Sequence, residues 1–562
     1  MEDSSMSTRQ ISPRRLPSGV QSFRMMREEQ YIYVDKTDLI WELINGPAVQ
    51  FIARPRRFGK SLMISTLQSY FQGEGHLFEG LRIAQLRAEA GVTEWVRHPT
   101  FFFGFSASGF SERDDVRDVL DRWLRQYEGE YGLSPSGPIG SRTAQLIIAA
   151  HEQSGLRPVI LVDEYDNPLT DTLLPAQREL HEHYKRELRG FYKAIKETGE
   201  HLQLVVVTGI TQFTELSLFS GVNQMQDMTL LPRYATLFGL TEGEMVEAFG
   251  PEIAAMAAEG GITPEEQIDR LRHEYDGYRF TTRDVYVYNP QSVIFSLEQR
   301  QLGNYWARTG TPALLATVFP TYTFDFQMLT GTIYLDELDM LRLDFTGRNP
   351  IPLLYQTGYL TIKGFDSRTN LFDLGFPNHE VETSFWRVLL EIFGPSVPAL
   401  RRAQGANFLR QLNEGRVEQA MCELLALIAG IPYSAVATQK LDATDILERE
   451  EKRRAARLRV YEELFQVALY AWFTALGCDV RAEPHSVRGR ADVVLELPSA
   501  IYIFELKVTH GQETGQTALA QIRSKAYAEP HRAKGKPIFG IGAAFDLREE
   551  TRGDCDWAWE EI

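Results

Sequence analysis

Asp492, Glu505 and Lys507, in GRADVVLELPSAIYIFELKV, are the residues whose types and spacing point most directly to chemistry. The period of the segment predicts a hairpin: a strand runs from Asp492 through Val493, Val494 and Leu495, Pro498 and Ser499 turn the chain, and Ile501 to Val508 returns. Side chains two apart in a strand share a face, so Glu505 and Lys507 project together. The turn brings Asp492 back beside them. Two carboxylates with a nearby backbone carbonyl make a hard oxygen site for Mg²⁺ or Mn²⁺. A lysine alongside orients or acidifies an attacking water and offsets charge developing on a phosphate. A surface hairpin that merely carries charges is the alternative, and Glu-x-Lys alone does not exclude it.

A second region lies near the start. PAVQFIARPRRFGKSLMISTLQSYF reads as a short apolar strand, a basic loop and a helix opening at Lys60 and Ser61. Such a loop presents backbone N–H groups and the positive end of a helix to a phosphate. Lys60 would reach the terminal phosphates of a nucleotide and the Ser61 hydroxyl would hold Mg²⁺. Arg54, Arg57 and Gly59 complete the candidate cradle, although the usual phosphate-loop pattern begins with Gly where this chain has Arg54. A basic loop capping a helix is the plainer reading. Its partner is VILVDEYDNPL, a buried strand ending in two acids, the form of a Walker B strand. Asp163 would bind Mg²⁺ through water and Glu164 would activate the hydrolytic water. A further apolar run, LQLVVVTGIT, ends in Thr208, a candidate polar sensor near the γ-phosphate.

The elements that must position these groups set the fold class. Apolar strands separated by helical stretches predict an α/β domain with a parallel sheet and its ligand at the strands' carboxyl ends. A chain of 562 residues is long enough for roughly three domains of about 100–200 residues each. Residues 1–15 read as a disordered N-terminus, 16–224 as a P-loop NTPase-like domain, 225–443 as a mainly helical or winged middle region, and 444–562 as a C-terminal α/β domain. The aromatic-rich YDGYRF and QTGYL of the middle region read best as packing. Arg233, in LLPRYATLFG, could reach a nucleotide or form a structural ion pair. The alternating charges of 446–459 read as a solvated linker helix.

A composition of 43% hydrophobic and 24% charged residues is that of a soluble globular protein, and a net charge of -17 argues against a protein that coats nucleic acid nonspecifically. Cys422, Cys478 and Cys555 show no CxxC pairing, so neither a zinc site nor a disulfide framework is indicated, and a reduced cytoplasmic compartment fits. The N-terminus lacks the apolar core of a signal peptide, and no run reaches membrane-spanning length.

The hairpin's Asp and Glu-x-Lys resemble the signature of the PD-(D/E)XK nuclease superfamily. On that resemblance Glu462, on a helical pattern upstream, takes the place of an accessory acidic residue. Gln521, in TALAQIRSKAYAE, takes that of a glutamine beside the site. YVDKT, RPRRFGKS, LVDEYDNPL, HEYDGYRF, NYWARTGTP, LLYQTGYLTIK and GFPNHEV together resemble the AAA-ATPase-like family found with such a nuclease domain. In that family Arg54 is a regular feature of the loop. The resemblance implies a prokaryotic protein with an ATP-binding domain and a nuclease domain.

The expectation is an ATP-dependent switch or motor joined to a metal-dependent nuclease cutting nucleic acid, with DNA the expected polymer. Asp492 and Glu505 would hold one or two metal ions while Lys507 positions the attacking water. Defence against foreign DNA would suit such a pairing, and a homo-oligomer is compatible with it. The alternative is an ATP-dependent switch whose nuclease-like domain grips nucleic acid or a partner without cutting.

Overall fold

The structure is a computed structural model that describes residues 14–106, 109–110, 115–212, 225–306, 315, 329, 332–341, 343, 349–393, 398–429, 469, 472–474, 478–481, 492–509, 513–546 and 555–562. The linker 446–459 lies outside the described residues. The N-terminal sheet contains β1 (Val49–Ala53), β2 (Thr100–Gly104), β3 (Val159–Asp163), β4 (Leu204–Gly209) and β5 (Met225–Asp227) in the order β2-β3-β4-β1-β5, all parallel. Both of its faces are covered, which is why VILV and LVVV are unbroken apolar runs. Ile52, Val159, Leu161, Leu204 and Val206 point into the core that includes Ile64 and Leu67 of helix Lys60–Phe71. Phe51, Ile160, Val162, Val205 and Val207 point to the opposite core. That core is built with the helices Val116–Glu130, Ile139–Ser154 and Arg178–Glu197. Each such side chain adds about 1.5–3 kcal/mol over its exposed state, so acids fit only at the end of β3.

The boundary drawn after residue 224 falls short by one strand: β5 pairs with β1 and belongs to the N-terminal sheet. Its three residues, Met-Gln-Asp, carry neither an apolar run nor an alternation that marks a strand. The middle region holds the helices Glu242–Gly260, Pro264–Tyr275 and Pro290–Gln299. It also holds a three-stranded antiparallel sheet of β6 (Ile333–Leu335), β7 (Thr361–Asp366) and β8 (Leu371–Gly375), in the order β6-β8-β7. Its aromatic motifs are packing, and they pack on the basic loop. Phe58 meets Tyr278 and Phe280 edge-on at 4.7 and 5.3 Å, and the Tyr278 hydroxyl donates to the Gly358 carbonyl at 3.0 Å. Gly358 has φ +90 and lies so close to Pro55 that a Cβ there would sit 2.6 Å from the proline ring.

The C-terminal sheet is mixed: β9 (Asp479–Arg481), β10 (Val493–Glu496), β11 (Ile501–Thr509), β12 (Ile538–Asp546) and β13 (Cys555–Glu561), in the order β13-β12-β11-β10-β9. β10 and β11 form the expected antiparallel hairpin, with Val493 opposite Phe504. β11 and β12 run parallel, joined through helix Gly515–Ser524. That helix lies almost backbone-to-backbone on the sheet, because a Cβ on Gly542 would fall 2.3 Å from the Gly515 carbonyl. Helices Pro398–Asn413 and Val417–Ala429, which the sequence reading placed in the middle region, also pack on this sheet. The Tyr502 hydroxyl donates to the Leu412 carbonyl at 2.7 Å and the Trp559 indole to Glu418 at 3.1 Å. Among the described residues no helix is long and apolar enough to cross a membrane.

Candidate nucleotide cavity and nuclease-like site

Helix Lys60–Phe71 opens on Gly59, whose φ of +95 suits a residue without a Cβ. The first-turn N–H groups of such a helix have no intrahelical acceptor and face the space ahead of it. Here that space is a cavity of about 500 Å³, lined by Arg56, Arg57, Gly59, Lys60, Ser61 and Glu164 on its polar side. Pro17, Val34, Leu240, Phe249, Ile294 and Phe295 supply apolar lining. A small-molecule pocket has this size and this mixture of an apolar wall with a few convergent polar groups.

Lys60 is buried, and its ammonium donates to the carbonyls of Arg54 (2.8 Å) and Pro55 (2.9 Å). Burial lowers its pKa, against the pull of Glu164 and then Asp163. Burial likewise raises the pKa of Glu164, opposed chiefly by Lys60, and so makes its carboxylate a better proton acceptor. Glu164 accepts from Asn167 Nδ2 at 2.9 Å. Both Glu164 (φ +56) and Arg57 (φ +71) occupy the left-handed region, at a cost of about 1–2 kcal/mol each for a residue with a Cβ. The surrounding fold imposes these conformations at the cavity.

Three expected residues, Arg54, Thr208 and Asp163, do not line the cavity. The Arg54 guanidinium is turned away from the cavity into the core. There it donates to the carbonyls of Ala53 (2.8 Å) and Thr229 (2.7 Å) and lies 4.4 Å over the Phe280 ring. Its place in the loop is that of a strut. Thr208, expected at the γ-phosphate, does not line the cavity; its hydroxyl donates to Asp163 Oδ1 at 2.6 Å. Arg233 lies over the Tyr234 ring and lines no part of the cavity.

The reading of the sequence missed three residues here. Asp166 is fully buried and accepts through Oδ2 from Ile210 N, Thr211 N and the Thr211 hydroxyl, tying the end of β4 to β3. Lys36 lines the cavity and donates to both carboxylate oxygens of Glu244 at 2.6 and 2.7 Å. Glu244 belongs to the capping box of helix Glu242–Gly260, so Lys36 ties one wall to another. Phe295 lines the cavity from helix Pro290–Gln299. Its residues come from separated segments, so no local spacing announces them.

At the C-terminal site the hairpin does what its period implies. Lys507 Nζ donates to Glu505 Oε1 at 2.9 Å, so the two share a face of β11. Gln521 Nε2 donates to the same oxygen. Asp492, just before β10, accepts from Leu506 N at 2.6 Å through Oδ2. Glu505 is 1% exposed, so a carboxylate held there demands compensating donors or a cation. Tyr527, unpredicted and also buried, is hydrogen-bonded to Gln521, and burial raises the pKa of its phenol. Among the described residues no three His, Cys, Asp or Glu side chains gather as a metal site, and Glu462 lies outside those residues. Two adjoining carboxylates still fit a hard divalent cation, which takes one or two protein carboxylates and completes its shell with water and substrate phosphate.

The geometry agrees with what sequence comparison finds. Residues 17–219 match the model of a predicted AAA-ATPase family, and residues 460–555 match the PD-(D/E)XK nuclease superfamily. An uncharacterized protein of the vnfD 5' region of Azotobacter chroococcum mcd 1 is 31% identical over 542 residues, covering 95% of this chain and 97% of the relative. The chain belongs to this family of predicted AAA-ATPases with a C-terminal PD-(D/E)XK nuclease superfamily domain. Within the AAA-ATPase-like match lie Lys60, Ser61, Asp163, Glu164 and Thr208. The PD-(D/E)XK match spans Asp492, Glu505, Lys507 and Gln521. The two matches thus assign an ATPase-like and a nuclease-like part to one polypeptide.

Proposed function

We propose that this protein joins an ATP-hydrolysing domain to a metal-dependent nuclease that cuts nucleic acid, with DNA as the polymer and the ATPase regulating or powering the cut. One observation supports the nuclease half above the rest: Lys507 and Gln521 both donate to Glu505 Oε1, while Asp492 is anchored on the same strand at Leu506 N. A decorative hairpin has no need for a buried carboxylate with two donors.

Asp492 and Glu505 are the residues that would hold Mg²⁺ or Mn²⁺, which supplies Lewis acidity toward a phosphodiester oxygen. Lys507 orients the attacking water and offsets negative charge on the phosphate. Gln521 holds the Glu505 carboxylate in place. In the cavity, Lys60 would leave its two loop carbonyls for the terminal phosphates of ATP, Arg57, Gly59 and Ser61 would complete the cradle, and Glu164 would take the water's proton. Ser61 of the cavity lining is the Mg²⁺ candidate there, and Asp163, behind that lining, would reach the ion through water. The apolar wall would receive the base. Defence against foreign nucleic acid in a prokaryotic cytoplasm is the setting that suits the pairing.

The test is incubation of plasmid, linear duplex DNA and RNA with the full chain, with Mg²⁺ or Mn²⁺, with and without ATP. Cleavage that requires metal and is lost in Glu505→Ala supports the reading. Wild-type cutting by Glu505→Ala, or no cutting of any polymer, overturns it and leaves a nucleotide-dependent binding switch.

A further inference from the structure

The basic loop RPRRFGKS has three arginines, and they do different things. Arg54 is committed to the core, where its guanidinium meets the Ala53 and Thr229 carbonyls and the Phe280 ring. Arg57 is exposed. Arg56 is half-buried and lines the cavity together with Lys60 and Glu164. Its charge reaches both of them: it opposes the protonated form of Lys60 and favours the ionised forms of Glu164 and Asp171.

We propose that Arg56 is a catalytic cation for nucleotide hydrolysis, supplied by the phosphate loop itself rather than by a second copy of the chain. The inference rests on reading the cavity as an ATP-hydrolysing site. In the step, a water oxygen bonds to the γ-phosphorus as the bond from that phosphorus to the β,γ-bridging oxygen breaks. The bonding pair stays on the bridging oxygen, which becomes a terminal oxygen of ADP. The water's proton passes to Glu164 and from there to solvent, leaving ADP and inorganic phosphate. Negative charge grows on the former bridging oxygen and across the equatorial oxygens of the γ-group. Lys60 brings one point charge to this site. A guanidinium presents a planar fork that spans two oxygens at once, which an ammonium cannot copy.

The experiment compares full-length wild type, Arg56→Ala and Arg56→Lys. The readouts are ATP binding by calorimetry, phosphate release, and retention of ADP with aluminium fluoride, a mimic of the transferring γ-group. Arg56→Ala is expected to bind ATP within a few-fold of wild type and to lose turnover by about a thousandfold or more. It should also fail to retain ADP with aluminium fluoride, and Arg56→Lys should recover little. Wild-type specific activity is expected to be independent of protein concentration. Three results overturn the proposal: undiminished turnover in Arg56→Ala, loss of ATP binding as large as the loss of turnover, or specific activity that climbs steeply with protein concentration. A wild type inert toward ATP overturns the ATPase reading itself. An active wild type with an equally active Arg56→Ala removes only the role of Arg56.

Discussion

The Thr208 hydroxyl donates to Asp163 Oδ1 at 2.6 Å, joining the ends of the neighbouring strands β4 and β3. Both residues are buried, so this bond fixes a carboxylate that cannot turn to water instead. Thr208→Val keeps the shape and removes the donor. The expected result is a loss of about 1–3 kcal/mol of stability from an uncompensated buried acceptor. ATP affinity should stay close to wild type while turnover slows, and thermal unfolding with phosphate release separates these effects.

Lys60 and Glu164 should fail differently. Lys60→Ala removes the buried ammonium that faces the cavity, and ATP binding measured by calorimetry is expected to vanish. Glu164→Gln keeps a similar shape but cannot take a proton, so it should bind ATP and release phosphate at a small fraction of the wild-type rate. Equal ATP affinity in wild type and Lys60→Ala would leave the loop as scaffold.

Gln521 donates to Glu505 and is proposed to act through it, so its loss should be partial. Gln521→Ala is expected to weaken metal affinity or cutting by about 10–100-fold, the usual range for a residue that orients a metal ligand. Asp492→Ala, Glu505→Ala and Lys507→Ala should each abolish cutting. Metal titration alongside a plasmid assay distinguishes the two classes. A Gln521→Ala protein as inactive as Glu505→Ala would place the glutamine in direct contact with the chemistry.

Glu380 gives the middle region a pH dependence. Its carboxylate accepts from Trp306 N and the Ser292 hydroxyl, both at 2.7 Å, and so ties helix Pro290–Gln299 to the segment that follows it. Burial pushes its pKa up from the ordinary carboxylate range to about 7. A folded-state pKa raised above the unfolded one means that the stabilisation is complete below about pH 4.5. It falls as pH rises and is gone above about 7, a change of about 3 kcal/mol. Glu380→Gln can keep both contacts and should flatten this dependence, so thermal unfolding of the two proteins should diverge most in favour of the variant above pH 7. Parallel curves from pH 5 to 8.5 would rule the carboxylate out as the titrating group.

What the sequence made legible followed periods that are short and local. Val159 to Val162 and Leu204 to Val207 declared a sheet covered on both faces, and Asp492 with Glu505 and Lys507 declared a hairpin with one charged face. Arg54 was misleading because composition cannot say which way a loop side chain turns; the guanidinium found carbonyls and the Phe280 ring on the far side of the loop. Thr208 was placed on the right strand, but its hydroxyl had a buried carboxylate closer than any nucleotide. Val34, Phe249 and Phe295 meet only in the folded chain, so the apolar wall left no trace in any one window. β5 was too short to show a period.

The contact between Tyr502 and the Leu412 carbonyl bears on how the polypeptide can be cut into pieces. A fragment beginning at 460, where the nuclease superfamily match starts, would discard helices Pro398–Asn413 and Val417–Ala429. It would strip Tyr502 of its acceptor and uncover the ring of Phe473, on which Phe408 of the discarded helix is stacked. Such a fragment would present a sticky apolar face and come down with itself. One that starts before Pro398 would carry its own cover.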